Sequence, residues 1–289
     1  MKSLASRLVI GLLLLALFFP ACSRDDLEDL QAKLPWRAAE QDDLDLAVKA
    51  LKARDIADAE MYFERYLRKN PTGGERWEAW QELMNIAQNI RQDKAVVRDY
   101  LEMMLAEYAD DPVRRSDIQM QLAALCKDMR LHGRAVALWE DLIADEDFPE
   151  DRRAVVYREL SRAYLRRLET VKATQILGLC LDLDVPAPLR ADCLFDLSET
   201  QSLTGEFEDS EKSLHDLLGM EDLSPDRQIM ATFMLADVLE QQERLDEAME
   251  YYESVRASYP NPRAVEIRLN SLKVRKANPL PVPKPRRNR

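Results

Sequence analysis

From residue 40 to residue 262 the apolar positions fall into pairs of helical faces, repeated six times. The last copy shows the pattern most plainly. Leu235, Ala236 and Leu239 sit at i, i+1 and i+4; Ala248, Tyr252 and Val255 follow at i, i+4 and i+7, and Pro260 closes the unit. Each half is one apolar face of period 3.6. The same frame begins at Leu46, Leu83, Leu122, Leu160, Leu197 and Leu235, in steps of 37, 39, 38, 37 and 38. The residue after that Leu is mostly small: Ala47, Met84, Ala123, Ser161, Ser198 and Ala236. Thirteen beyond it stand Ala59, Val96, Ala135, Ala173, Ser210 and Ala248. Four further on come Phe63, Tyr100, Trp139, Leu177, Leu214 and Tyr252, and then Tyr66, Met103, Leu142, Cys180, Leu217 and Val255.

Small residues let the two helices of a hairpin approach closely, while the large residue one turn on fills the space toward the next hairpin. One hairpin cannot bury its own apolar face, so such units must stack. The spacing of Leu plus a small residue, Ala, aromatic and Pro resembles the tetratricopeptide repeat (TPR) over residues 40–262. The resemblance implies an all-α chain, a right-handed α-solenoid of about six helix pairs. The period is longer than the family's usual length of about 34. Pro71 and Pro260 fall at the expected end of a unit, whereas Pro112, Pro149, Pro186 and Pro225 arrive late. The added residues therefore belong to the turn before each new pair, where insertions cost little. Beyond Pro262, the apolar residues Ala264, Ile267, Leu269, Leu272 and Val274 predict a capping helix over 263–277. The segment 278–289 (NPLPVPKPRRNR) reads as a disordered or polyproline-like basic tail.

The start of the chain has a different texture. Lys2 and Arg7 precede an apolar run from Leu8 to Phe19, too short to span a bilayer comfortably but normal for a secretory leader. The run ends in Phe19-Pro20-Ala21-Cys22, which resembles the lipobox of bacterial lipoproteins. The resemblance implies that residues 1–21 are removed and Cys22 is lipidated; ordinary cleavage and retention as a short anchor are the alternatives. Ser23, where an Asp would imply inner-membrane retention, points by the same resemblance to an outer membrane facing the periplasm, in a Gram-negative envelope. Residues 22–39 form a tether. Cys126, Cys180 and Cys193 remain, an odd number that cannot form a complete disulfide framework. They are either three small buried hydrophobes or include a Cys180–Cys193 bridge between neighbouring helices.

Composition removes most chemistry. With Gly at 7 the chain holds neither a GxGxxG run nor a P-loop, and with His at 2 it offers no histidine triad and no multi-histidine metal site. His132 falls in a turn and His215 on a helix, both as packing or surface residues. No catalytic residues, no cofactor, no metal and no small-molecule substrate are expected, and the chain reads as a non-enzyme. The net charge of −12 becomes about −18 over residues 22–276 once leader and tail cations are set aside, and a body that acidic repels nucleic acid. The tail prolines Pro279, Pro281, Pro283 and Pro285 alternate, so no PxxP ligand is present.

The expected partners are envelope proteins, or a peptide segment of one, together with a membrane engaged through Cys22. In TPR proteins the first helix of each pair lines the concave side. By that frame the groove positions are Gln81, Asn85, Gln88 and Asn89 in the second copy and Arg158, Arg162 and Arg166 in the fourth. Phe195 and Phe233 follow in the fifth and sixth. Amides can pair with a peptide backbone, since each both donates and accepts. An arginine row spaced by four can take carboxylates bidentately, or pair inside the scaffold with Asp128 and Glu199. The two phenylalanines are either core or a hydrophobic anchor. These features predict a membrane-anchored scaffold that binds envelope proteins within an assembly complex. The architecture bears a distant resemblance to the TPR lipoprotein of the outer-membrane β-barrel assembly machinery. A regulator of a periplasmic cell-wall enzyme and a spacer with no groove ligand are the other readings.

Overall fold

A computed structural model describes residues 35–278, with side chains from residue 42. The leader, Cys22, most of the tether and tail residues 279–289 lie outside that range. The described residues form thirteen α-helices and no strand. In chain order they are α1 (Pro35–Lys52), α2 (Ile56–Lys69), α3 (Arg76–Asn85), α4 (Lys94–Glu107), α5 (Pro112–Asp128) and α6 (His132–Ala144). Then come α7 (Glu150–Arg166), α8 (Thr170–Leu181), α9 (Ala187–Thr204), α10 (Phe207–Leu218), α11 (Pro225–Gln241), α12 (Leu245–Val255) and α13 (Pro262–Ala277). They make six successive hairpins and a final helix, a helical-repeat architecture. The chain divides into two compact units, Met1–Glu107 with two hairpins and Tyr108–Arg289 with four and α13.

The crossings within hairpins use the predicted small residues. Ala47, Ala59, Ala123, Ala135, Ser161, Ala173, Ala236 and Ala248 are all buried. The fifth hairpin replaces the pair of alanines by Ser198 and Ser210, and the Ser210 hydroxyl donates to the Ser198 carbonyl at 2.8 Å. One turn on, the Ser213 hydroxyl donates to Gln201 Oε1 at 2.8 Å. Polar groups at that depth are tolerated because they satisfy one another.

The late prolines open helices rather than fill turns. Pro112, Pro225 and Pro262 occupy the first turn of α5, α11 and α13, while Pro149 and Pro186 cap α7 and α9. Proline suits these positions because the first N–H groups of a helix have no intrahelical partner. Side chains of Asp55, Asp111, Ser224 and Asn261 accept from backbone N–H groups three residues on, at 3.0–3.3 Å.

Each hairpin turns on one residue with positive φ: Arg54, Gln92, Arg130, Leu168, Gly205 and Glu243. In five of them the next N–H reaches back five residues, as Asp55 to Ala50 and Leu131 to Cys126. This is the Schellman closure of a helix C-terminus. Only Gly205 is the residue that the conformation favours. A second glycine is fixed by contact: a Cβ on Gly73 would lie 2.4 Å from the Tyr66 hydroxyl, which accepts the Glu75 N–H at 3.1 Å.

Three expectations are corrected. In the second hairpin the buried series is Val97, Leu101 and Met104, while Val96 is half-buried and Met103 is 55% exposed. The cause is a π-helical turn, Ile86–Ile90, where the Arg91 N–H reaches the Ile86 carbonyl. It inserts one residue, so the following N–H of Asp93 reaches back six residues to Ala87. At the first hairpin Leu46 is 37% exposed although its five counterparts are buried. On α13 the buried face is Val265, Leu269 and Leu272, and Ile267 and Val274 are exposed. One open alternative is also resolved: Cys180 and Cys193 form a disulfide between α8 and α9, and Cys126 is buried in α5.

Candidate interaction surfaces

The second hairpin presents its amides outward. Gln81 and Asn85 are exposed on α3, and Gln88 and Asn89 are exposed on the π-helical turn that continues it. Leu83, Met84, Ile86 and Ala87 of the same stretch are buried, so burial of the apolar side fixes which way the amides point. The Asn89 Nδ2 donates to Asn85 Oδ1 at 2.8 Å. That bond leaves the Asn89 carbonyl oxygen and the Asn85 amino group toward solvent.

The arginine row of α7 is used differently. Arg158 donates to Asp196 Oδ2 at 2.6 Å and to Asp192 Oδ2 at 2.5 Å, and Arg162 donates to both Asp196 oxygens at 3.0 and 3.1 Å. Asp192 also pairs with Arg227 of α11. These are bonds between first helices of successive hairpins, made to Asp192 and Asp196 rather than to the expected Asp128 and Glu199. Burial alone would lower the Arg162 pKa, but the charges of Asp196 and Glu159 outweigh it and the group ends raised. The Glu199 carboxyl is raised, first by desolvation and then by the charge of Asp196. Arg166, one turn beyond Arg162, is exposed.

The two phenylalanines are also engaged. Phe233 stacks on Tyr259 with centroids 4.1 Å apart and meets Tyr252 edge-on at 5.2 Å. Phe195 carries the Arg227 guanidinium 4.7 Å from its ring centre. Both contacts lie within one unit, and both rings are half-buried. Tyr252 is buried and its hydroxyl donates to Asp237; desolvation, this bond and neighbouring carboxylates push its pKa well above the ordinary range.

Single bonds also tie second helices to the hairpin that follows. Arg244 donates to Glu211 at 2.7 Å and to Glu247 at 2.6 Å, and Tyr164 donates to Glu140 at 2.8 Å, its pKa raised to about 12 by burial and that bond. In the first unit, burial would raise the Asp43 carboxyl, but hydrogen bonds from Arg65 and Lys69 hold it below its ordinary value.

Two clefts lie among these helices. One of about 510 Å³ is floored by Leu67, Trp80, Tyr100 and Met103 between α2, α3 and α4. The other, of about 630 Å³, is polar and open, with His215, Thr232, Glu247 and Tyr251 at its walls. Neither contains a nucleophile paired with a base. Among the described residues no group of three or more His, Cys, Asp or Glu side chains is arranged to hold a metal ion. No described helix is long and apolar enough to cross a membrane.

The four amides assigned to the groove are exposed, whereas Arg158 and Arg162 are taken up by two acids that were not among their expected partners. The signal was present: Asp192 and Asp196 stand on the first helix of the next repeat, 34 residues beyond Arg158 and Arg162, about one turn short of the full repeat step.

Comparison with known proteins agrees with the architecture. A tetratricopeptide-repeat family profile matches residues 204–261. No curated protein matches the chain. Among solved structures, a tetratricopeptide repeat protein from Parabacteroides merdae has a TM-score of 0.52 at 14% identity, over 83% of this chain and 88% of that one. PilW, described as a widely conserved type IV pilus biogenesis factor, has a TM-score of 0.52 at 15% identity over 81% and 98%. TPR-like repeats of a putative kinesin light chain from Podosopora anserina have a TM-score of 0.52 at 20% identity over 64% and 96%.

Proposed function

We propose that this chain, a tetratricopeptide-repeat protein, is a non-catalytic interaction scaffold held in the bacterial envelope by a lipidated Cys22 and engaged in an envelope assembly complex. The scaffold role follows from the repeat architecture. The finer reading is carried by the amide row Gln81, Asn85, Gln88 and Asn89, an exposed polar line that begins on α3 and ends on the π-helical turn. π turns inside helices recur at functional positions. An extended partner segment can satisfy its backbone N–H and C=O groups on such amides, and a preformed face binds without an ordering penalty on its own side.

The address rests on the leader and the Ala21-Cys22 junction. The Cys180–Cys193 disulfide supports it, because disulfides persist in oxidising compartments such as the periplasm. Fold likeness near 15% identity speaks for architecture alone, so the pilus factor does not name the complex.

Crosslinking in the native envelope tests the binding face: wild type captures a defined protein set, and Gln81→Ala with Asn85→Ala loses it. Capture unchanged by the double variant refutes the amide row as the binding face. Metabolic lipid labelling tests the anchor, with label expected on wild type and absent from Cys22→Ala; label on both or on neither refutes it.

A further inference from the structure

The hairpin turns of the second unit differ in charge and in what they expose. Aligned on the positive-φ residue, the third turn spans residues 127–134 and the fourth 165–172. Lys127, Arg130 and Arg134 outweigh Asp128 in the third, and Arg166, Arg167 and Lys172 outweigh Glu169 in the fourth. The matching windows of the fifth and sixth turns are acidic, with Glu206, Glu208 and Asp209 in one and Glu240, Glu243, Asp246 and Glu247 against Arg244 in the other. A basic edge thus stands on a chain whose net charge is −12.

The same two turns expose long apolar side chains. Leu168 is 85% exposed, Val171 is 68% exposed, and Leu131 is exposed beside Arg130. Leu168 is the most informative. It holds φ at 61°, a conformation that favours the glycine found at the equivalent Gly205, and its side chain is placed in water. Neither the backbone nor the packing explains a leucine there. Arg54, Gln92, Arg130 and Glu243 hold the same conformation, so what sets Leu168 apart is its apolar side chain placed in water beside Val171.

We propose that the third and fourth hairpin turns dock onto an anionic phospholipid surface, with Leu168, Val171 and Leu131 entering the headgroup layer and Arg130, Arg166 and Arg167 meeting phosphates. The two turns carry their apolar side chains as exposed tips beside arginines, an arrangement that suits a fluid anionic surface, where apolar groups enter and guanidinium groups stay among phosphates. Guanidinium groups beside apolar tips are the combination that holds interfacial segments at charged bilayers. Lys172 and Arg167 share Glu169, which keeps that acid neutralised at the contact. This docking deepens the envelope reading and rests on it for its setting: a tethered scaffold would lie with this edge against its own membrane.

The test uses the chain lacking residues 1–22, which carries no lipid and keeps every described residue. Sedimentation with vesicles of equal phosphatidylglycerol and phosphatidylethanolamine is compared with phosphatidylcholine alone. Anionic vesicles are expected to retain the protein, less so as salt rises. Arg166→Gln with Arg167→Gln weakens retention roughly tenfold or more, at the usual strength of two juxtamembrane cations. Leu168→Gly removes the apolar tip at a position whose backbone prefers glycine, so it keeps the fold and weakens retention roughly fivefold. Equal binding to both vesicle types, or retention indifferent to Leu168→Gly, overturns the proposal. So does loss of binding to polyglutamate in these variants while vesicle binding stays intact, which would make the edge a site for an acidic polypeptide. Lipid labelling of Cys22 is read separately: label with no vesicle binding ends the docking proposal alone, and vesicle binding with no label ends the anchor alone.

Discussion

The amide row of the second hairpin and the arginine row of the fourth occupy similar places, exposed-side positions on the first helix of a pair, yet one is left open and the other is spent. What separates them is the bonds that each row makes. Asp192 and Asp196 of α9 meet Arg158 and Arg162 at 2.5–3.1 Å, whereas the amides of α3 and its π turn make one bond to each other. A polar row whose side chains meet the acids of the next copy, as α7 meets α9, is therefore spent inside the scaffold. That outcome depends on a pair of copies, and inspection of a single helix cannot show it.

Removing the complement is the strongest way to break the contrast. Asp196 is buried and receives both arginines, so Asp196→Ala leaves Arg158 and Arg162 without their shared carboxylate. Loss of one partner of a buried ion pair typically costs about 3–5 kcal/mol; Arg162 is 42% exposed and Asp192 still holds Arg158, so about 2–3 kcal/mol is expected here. Urea unfolding of the second unit measures it. A loss under 1 kcal/mol means the ladder is surface decoration.

The first unit has its own buried acid, Asp43, held by Arg65 and Lys69 within one hairpin. Its folded pKa lies below the unfolded value, so its contribution is complete above that value and disappears as pH falls through the folded one. Asp43→Asn is expected to cost about 1–2 kcal/mol at neutral pH, with the difference from wild type closing in strong acid below pH 3.8. Thermal melts across pH read this directly, and a gap that widens on acidification contradicts the assignment.

Smaller effects come from the turns. Leu168→Gly relieves a left-handed backbone at a site whose side chain is solvent-exposed, and Gly205→Ala imposes one at the equivalent place. The first is expected to stabilise and the second to destabilise by about 1 kcal/mol each. Equal signs in chemical denaturation would show that these turns are not equivalent.

Much of this was legible in the chain. Leu, the small residue after it and the Ala thirteen on are enough to set five hairpins in register, because crossing geometry admits few alternatives to small side chains. The second hairpin slipped by one residue because a π turn leaves no mark in apolar periodicity: Val96 and Val97 are both apolar, and only the reach of Asp93 to Ala87 shows the insertion. The disulfide was undecidable for a similar reason, since Cys180 and Cys193 would be equally buried with or without a bond. The fate of the arginines was missed through register: Glu199 was weighed as a partner on the next first helix, but the acids that meet Arg158 and Arg162 are Asp192 and Asp196, on the preceding turns of the same helix.

The smallest expected change in stability is also the sharpest test of the contrast. Gln81 and Asn85 are exposed, and their replacement by alanine touches no buried group. Alanine is the better helix former, so the double variant should unfold within about 0.5 kcal/mol of wild type. If α3 is a binding face, the same variant must nevertheless lose the partner captured in the envelope, while Asp196→Ala, costly to the second unit, should leave capture by a still-folded first unit unchanged. The opposite outcome, amide variants that bind normally beside an Asp196 variant that does not, would move the binding face onto the arginine ladder and make its internal pairing a resting state that a partner displaces.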